Sequence, residues 1–141
     1  MRLFKVNQVV TIYAFLVVYS IFAVIAYAES VNNASEAISE ESHFRVSYKS
    51  QYNPIPLNQI HPWILHIEDE EGNPVEKAIV TIDGGMPAHN HGLPTEPAAT
   101  ELGNGDYMID GIKFSMTGSW EMWFYIQTET LADKVKFELE M

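Results

Sequence analysis

The chain has 141 residues, with 8 Lys+Arg against 19 Asp+Glu, a formal net charge of −11 and no cysteine. The acidic balance argues against nucleic acid and anionic membrane surfaces as partners, because binding to phosphates requires a basic face. The lack of cysteine excludes disulfides, thiol catalysis and thiolate metal sites. The length fits one domain plus a targeting segment.

Residues 1–28 have the pattern of a targeting segment. Arg2 and Lys5 precede an almost wholly apolar stretch over residues 9–28, which ends in Ala26-Tyr27-Ala28. A basic start, an apolar run and an A-x-A ending are typical of a secretory signal peptide. The stretch is also long enough to span a bilayer, so an uncleaved membrane anchor is the alternative. We predict an exported protein, periplasmic or membrane-anchored facing outward, with membrane contact only if the segment is uncleaved.

The remainder divides into a polar stretch and a folded domain. Residues 29–42 are rich in Ser, Asn, Ala and Glu, which predicts a flexible tether. From residue 43 to 141, short alternating runs are separated by turn residues. We therefore place the domain at residues 43–141.

The runs predict strands over most of this domain. They lie at residues 44–48, 63–67, 78–82, 100–102, 106–109, 112–116, 120–126 and 135–139. Gly103-Asn104-Gly105 predicts a hairpin turn, since these residues tolerate positive φ, whereas residues 86–97 lack a strand period and predict a loop. No amphipathic helix is evident. Seven or eight evenly spaced strands favour an all-β antiparallel sandwich.

The loop after the third strand carries the unusual chemistry. Met86, His89 and His91 fall within six residues, bounded by glycines and prolines that restrict the loop. In an extended segment the two imidazoles would project to one side. Imidazole binds Cu(II) and Cu(I), and thioether selects the softer Cu(I). Zinc would fit two histidines but would gain little from Met86, and a further ligand must come from elsewhere in the chain.

Met116 is the best candidate for that further ligand, because it precedes Thr117-Gly118-Ser119 at the mouth of a loop. Met122 shares the parity of Trp120 and is predicted to fill the core. The side of the sheet on which Met108 lies is open. Trp120 itself is predicted to be buried, with shielding of a metal as the alternative.

The other histidines have simpler predicted roles. His61 precedes a proline and is expected to cap a strand, although it could approach the same end of the sandwich. His66 lies in mid-strand and is expected to be partly exposed. His43 has no evident partner. A site without metal stays possible, because histidines and methionines in a turn can simply hydrogen-bond to the backbone and plug one end of a sandwich.

Enzyme motifs are absent from the sequence. It contains no G-x-S-x-G elbow, no H-E-x-x-H helix motif and no glycine-rich phosphate loop. Residues 68–71 are acidic but lack the alternating ligands of a calcium loop, so they predict a solvated turn. We predict a protein that is not an enzyme, with a hydrolase as the least favoured class.

Four segments together resemble the YtkA-like family of small exported bacterial domains, which is similar to the FixH group. They are G-N-P-V-E-K-A-I-V from Gly72, G-M-P-A-H-N-H-G from Gly85, G-D-Y from Gly105 and F-S-M-T-G-S-W-E from Phe114. The resemblance covers about residues 52–139. It implies an immunoglobulin-like β-sandwich of about seven strands in the bacterial envelope, near copper-handling components; the FixH group is tied to maturation of haem–copper oxidases.

The resemblance also implies a set of candidate metal ligands in this chain. Met86, His89, His91 and Met116 match the family motif as candidate metal ligands, and Asn90 stands where other members often have glycine. The leading hypothesis is a domain that binds copper, Cu(I) above all, and delivers it to a copper acceptor or an envelope complex. The alternative is a metal-free structural or protein–protein interaction sandwich, because the G-x-P-V-x-x-A signature recurs in transthyretin-like and adhesin-type modules.

Overall fold

The computed structural model describes residues 35–141, and these residues form nine β-strands. The predicted signal peptide or anchor at residues 1–28 lies outside the described residues. The strands are β1 (Ser35–Ile38), β2 (Arg45–Ser50), β3 (His61–Glu68), β4 (Ile79–Met86), β5 (His91–Gly92), β6 (Ala98–Gly103), β7 (Asp106–Ile112), β8 (Ser119–Gln127) and β9 (Ala132–Glu140). A single turn of 3-10 helix, Pro87–His89, separates β4 from β5. Over residues 35–141, no helix is long and apolar enough to cross a membrane.

The strands form two antiparallel sheets in an immunoglobulin-like order. One sheet runs β1-β2-β3-β7-β6 and the other runs β5-β4-β8-β9. Across the sheets, β2, β3, β7 and β6 occupy the A-B-E-D positions of an immunoglobulin domain, and β4, β8 and β9 occupy the C-F-G positions. The predicted immunoglobulin-like antiparallel sandwich is therefore confirmed, with nine strands rather than about seven.

The core lies between the two sheets and follows from the alternation of the sequence. On β8, Trp120, Met122, Phe124 and Ile126 are all buried, while the residues between them face outward. Facing them on β3 are Trp63, Leu65 and Ile67, which show no exposed surface. Each such side chain contributes about 1.5–3 kcal/mol when it leaves water. The prediction of Met122 as a core residue is confirmed.

The tether predicted at residues 29–42 is wrong from Ser35 onward, because β1 pairs with β2 in register from Ser35↔Tyr48 to Ile38↔Arg45. The segment has no strong hydrophobic alternation, so its strand is held by main-chain bonds rather than by burial. The following turn is fixed to β9: the Asp133 carboxylate accepts hydrogen bonds from the Glu41 and His43 amides. His43, which had no evident partner in the sequence, therefore lies beside Asp133.

Two other local predictions differ from the structure, and one is confirmed. The predicted strand at residues 112–116 does not exist as such, since Ile112 ends β7 and Phe114 makes only an isolated bridge to Leu57. The predicted loop over residues 86–97 contains the helical turn and β5. Asn104 and Gly105 form the predicted hairpin turn, with φ of 54° and 77°.

Tyr107 braces the chain ahead of β4. Its hydroxyl donates to the Val75 carbonyl and accepts from the Ala78 amide, both at 3.0 Å. This pair of bonds fixes the segment that leads into β4, and β4 ends at the candidate site.

Candidate metal centre

A tight hairpin at the end of β4 builds the candidate site. Pro87 begins the helical turn, where its missing amide hydrogen costs nothing, and Asn90 adopts a left-handed φ of 51° that reverses the chain. β5 then returns along β4 with Gly85 opposite Gly92 and Met86 opposite His91. The segment is thus not extended as predicted, because the helical turn lies between Met86 and His91.

Two glycines permit this close return. A Cβ added at Gly85 would lie 2.5 Å from the His91 carbonyl oxygen, and one added at Gly84 would lie 2.6 Å from the Met122 sulfur. Real side chains do not tolerate such distances. Glycine at these two positions lets β4 lie close to β5 on one side and to β8 on the other.

The Nε2 atom of His91 is buried in the corner that the β4–β5 hairpin forms. Its Nδ1 lies 3.1 Å from the Gly92 carbonyl oxygen, and a carbonyl can only accept, so Nδ1 carries the hydrogen. In the neutral ring, Nε2 then holds a free lone pair. That atom is buried and has no hydrogen-bond partner within residues 35–141. A metal-binding histidine is arranged in this way, with one nitrogen anchored and the other free.

The two imidazoles lie close together despite the helical turn between them. Their ring centroids are 6.1 Å apart with planes inclined by 34°. Two rings that share one metal at about 2.0 Å from each nitrogen have centroids roughly 5–6 Å apart. His89 is exposed on the helical turn, so its side chain has room to rotate.

Met86 lies on the inner side of the same corner. It is 1% exposed and belongs to the core cluster. Residues directly opposite in an antiparallel pair have neighbouring side chains on one face of the sheet, so Met86 and His91 are neighbours. A Cβ added at Gly118 would lie 3.0 Å from the Met86 methyl carbon, which shows that the loop between β7 and β8 packs against the thioether.

Met116 belongs to that loop. Its side chain is 44% exposed, and its carbonyl accepts a hydrogen bond from the Trp120 indole Nε1 at 3.0 Å. The loop is fixed a second time by Gly118, whose amide and carbonyl both bond to Met141 at 3.0 Å. The structure thus places the Met116 carbonyl against Trp120, whose ring in turn lies against His91.

Trp120 lies between the loop that carries Met116 and the ring of His91. It is completely buried, as predicted, and its ring meets the His91 ring edge-on at 5.6 Å between centroids. Sequence reasoning did not find the bond from its indole to Met116. The only available signal was the spacing M-x-x-x-W, which does not specify which atoms meet.

His61 and His66 have other partners. His61 is buried, with Nδ1 donating to the Gln59 carbonyl at 3.1 Å, and Phe114 lies against its ring. His66 is partly exposed as predicted, and its Nδ1 lies 2.6 Å from an Asp106 carboxylate oxygen.

Acidic residues surround the outer side of the hairpin. A groove of about 320 Å³ runs beside it, lined in part by Asp83 and Glu121. Lys136 pairs with Glu138 at 2.7 Å and with Glu121 at 3.1 Å. These hydrogen bonds raise the pKa of Lys136, and the bond from Lys136 lowers the pKa of Glu138. One lysine thus pairs with two carboxylates. The outer side of the hairpin, with Asp83, Glu121 and Glu138, therefore remains an acidic rim.

The described side chains at this hairpin offer two imidazoles and nearby thioethers. Within the described part of the chain, no three His, Cys, Asp or Glu side chains form a group that could hold a metal ion. A site built from the described side chains here would combine imidazole nitrogen with thioether sulfur. Thioether sulfur is a soft donor and suits Cu(I) better than hard cations.

The fold and this corner define a small immunoglobulin-like sandwich domain with a histidine–methionine hairpin at one end. The sequence model of the YtkA-like family matches residues 36–123, more than half of the chain, and the protein belongs to this family. The match begins within β1, which agrees with the inclusion of that strand in the domain. No curated protein and no solved structure matches the chain.

Proposed function

We propose that this domain binds Cu(I) at the hairpin corner and delivers it to an acceptor in the bacterial envelope. His91 carries the argument, because its Nε2 is buried without a hydrogen-bond partner in residues 35–141, and with Nδ1 bonded to the Gly92 carbonyl the neutral ring has its lone pair on Nε2. Burying such an atom without a bond costs about 1–3 kcal/mol. A bound metal ion would recover this cost.

The sulfur donors determine which metal is favoured. Met86 lies beside His91 in the β4–β5 pair, and Met116 lies in the loop that packs on it. Together with His89 they offer two imidazoles and two thioethers, a set that suits Cu(I). Copper bound there would be the cargo of the domain rather than a catalyst, and the proposal includes no enzymatic activity.

The export that the sequence predicts supports the same function. The chain belongs to the YtkA-like family, and its first 28 residues have the pattern of a signal peptide or anchor. A copper carrier in the envelope needs an accessible ligand for transfer, and the exposed His89 fills that role. The acidic rim favours an acceptor with a positively charged surface.

The first test is an anaerobic titration of the purified protein with Cu(I) against a competing chelator. Zn²⁺ and Cu²⁺ titrations run in parallel. We expect one tightly bound Cu(I), weakened in His91→Ala and in Met86→Leu, which keeps an apolar side chain in the core. His66→Ala is the matched control, because His66 lies on the outer face of another strand, and it should bind as the wild type does.

A metal-free interaction domain is the second candidate. The burial of Met86 in the core cluster favours it, since a thioether can act purely as packing. Wild-type Cu(I) affinity in a folded His91→Ala variant, or no binding tighter than micromolar in the wild type, would reject the copper proposal. The second candidate would then replace it.

A further inference from the structure

Trp120 connects the two halves of the corner. Its indole N–H donates to the Met116 carbonyl at 3.0 Å, and its ring edge packs on the His91 ring. Phe114 packs against it from the core side at 5.2 Å between centroids. Because Trp120 is completely buried, its ring cannot reorient without disturbing the core.

The bond to Met116 matters because that residue has little else to hold it. Its side chain is 44% exposed, and it lies outside the named strands. Two residues later, Gly118 has a φ of 118°, which marks an irregular loop. The loop is therefore fixed at the Met116 carbonyl by Trp120 and at Gly118 by Met141.

We infer that Trp120 is a positioning residue that aligns the thioether of Met116 with the imidazole of His91, and so gives the corner its preference for Cu(I) over Cu(II). The inference rests on the proposed function. Cu(II) is held by imidazole nitrogen, whereas Cu(I) also uses thioether sulfur. Loss of the indole N–H releases Met116 without displacing His91, so it weakens binding of the softer ion alone.

The binding test compares Trp120→Phe with Trp123→Phe. Trp123 lies on the outer face of the same strand, against Lys134. In Trp120→Phe we expect Cu(I) affinity to fall about tenfold, the ratio given by 1.4 kcal/mol, which is the size of one buried hydrogen bond. Cu(II) affinity should change by less than about twofold, and Trp123→Phe should leave both unchanged. Adding Met116→Leu to Trp120→Phe should cause no further loss.

A second measurement needs no metal. Biosynthetic replacement of tryptophan by its benzothiophene analogue removes the indole N–H with almost no change in volume. The analogue also replaces Trp63. The indole N–H of Trp63 has no partner among the described residues, so no hydrogen bond is lost there. The methyl resonance of Met116 in the metal-free protein should shift and sharpen, because its backbone is released.

The outcomes separate this inference from the proposed function. An unchanged Met116 methyl resonance in the analogue protein overturns the positioning role, whether or not copper binds. Equal losses of Cu(I) and Cu(II) affinity in Trp120→Phe overturn the selectivity role. A wild type that binds no Cu(I) rejects the proposed function and the selectivity role together, while the methyl resonance still decides the positioning role.

Discussion

The close approach of β5 to β4 at Gly85 makes one substitution especially informative. In Gly85→Ala the new Cβ would lie 2.5 Å from the His91 carbonyl oxygen and 3.1 Å from the Gly92 Cα. An ordinary carbon–oxygen contact is about 3.3 Å, so β5 must move by about 0.8 Å. Metal–ligand distances tolerate only about 0.2 Å. The displaced His91 should therefore lose its place in the site.

The cost to folding should be modest by comparison. Overpacking a well-packed position costs about 1–3 kcal/mol. Since β5 pairs with β4 through only two residue pairs, it can separate from β4 and relieve the strain locally. We expect Gly85→Ala to lower Cu(I) affinity at least about tenfold, while the amide spectrum of the rest of the sandwich stays that of the wild type.

Gly92→Ala is the matched control, because Gly92 is the residue opposite Gly85 in the same pair. A Cβ there would meet only the Gly84 carbonyl oxygen, at an ordinary 3.4 Å. Chelator competition gives the affinities, and the ring ¹⁵N shifts of His91 report whether Nδ1 still carries its hydrogen without metal. Wild-type affinity and unchanged His91 shifts in Gly85→Ala would refute the reasoning, as would an equal loss in Gly92→Ala.

Three further predictions concern stability. Tyr107→Phe leaves two main-chain partners without their hydroxyl and should cost about 1–3 kcal/mol in urea unfolding; an equal cost in Tyr52→Phe, at an exposed site, would contradict this. Asn104→Ala should cost about 1–2 kcal/mol, because alanine is strained at positive φ; an unchanged midpoint would show that the turn relaxes. Burial raises the pKa of Asp133, but hydrogen bonds from the Ser39 hydroxyl and nearby amides outweigh it and hold that pKa below its usual value. Its stabilisation is therefore present above the usual carboxyl pKa of about 3.9 and lost as pH falls through the lower folded value. Asp133→Asn should be less stable at neutral pH and should lose less stability on acidification, and parallel pH profiles would refute this.

Alternation of apolar residues made the core strands predictable. On β8, each inward residue from Trp120 to Ile126 is large and apolar, so the period of two defines the buried face. The hairpin at Asn104 was equally predictable, because few residues tolerate its backbone angles. Both signals are local, and a single sequence contains them.

β1 and β5 lacked such signals. β1 is held by main-chain bonds to β2, and its four residues, Ser-Glu-Ala-Ile, have no strand alternation that distinguishes them from a linker. β5 has two residues, and its position depends on the absence of a Cβ at Gly85, a constraint that appears only when β4 and β5 are paired. Strands stabilised mainly by their neighbours are not visible in their own composition.

The sequence predicted a metal site from residue types and spacing, and that site stays a prediction. The H-x-H spacing and the two methionines placed it at this hairpin, where the structure pairs Met86 with His91. The free lone pair on His91 depends on the carbonyl of Gly92, and the position of Met116 depends on an indole from β8. Such contacts arise from the fold, and spacing along the chain does not determine them.

The two bonds between Met141 and Gly118 have a practical consequence. Met141 holds the loop that carries Met116 in place, so a tag fused after Met141 would disturb these two hydrogen bonds. Removal of Met141 would break both of them. Copper measurements on this protein are therefore best made with any affinity tag kept away from residue 141, and a tagged preparation that binds weakly says little about the domain itself.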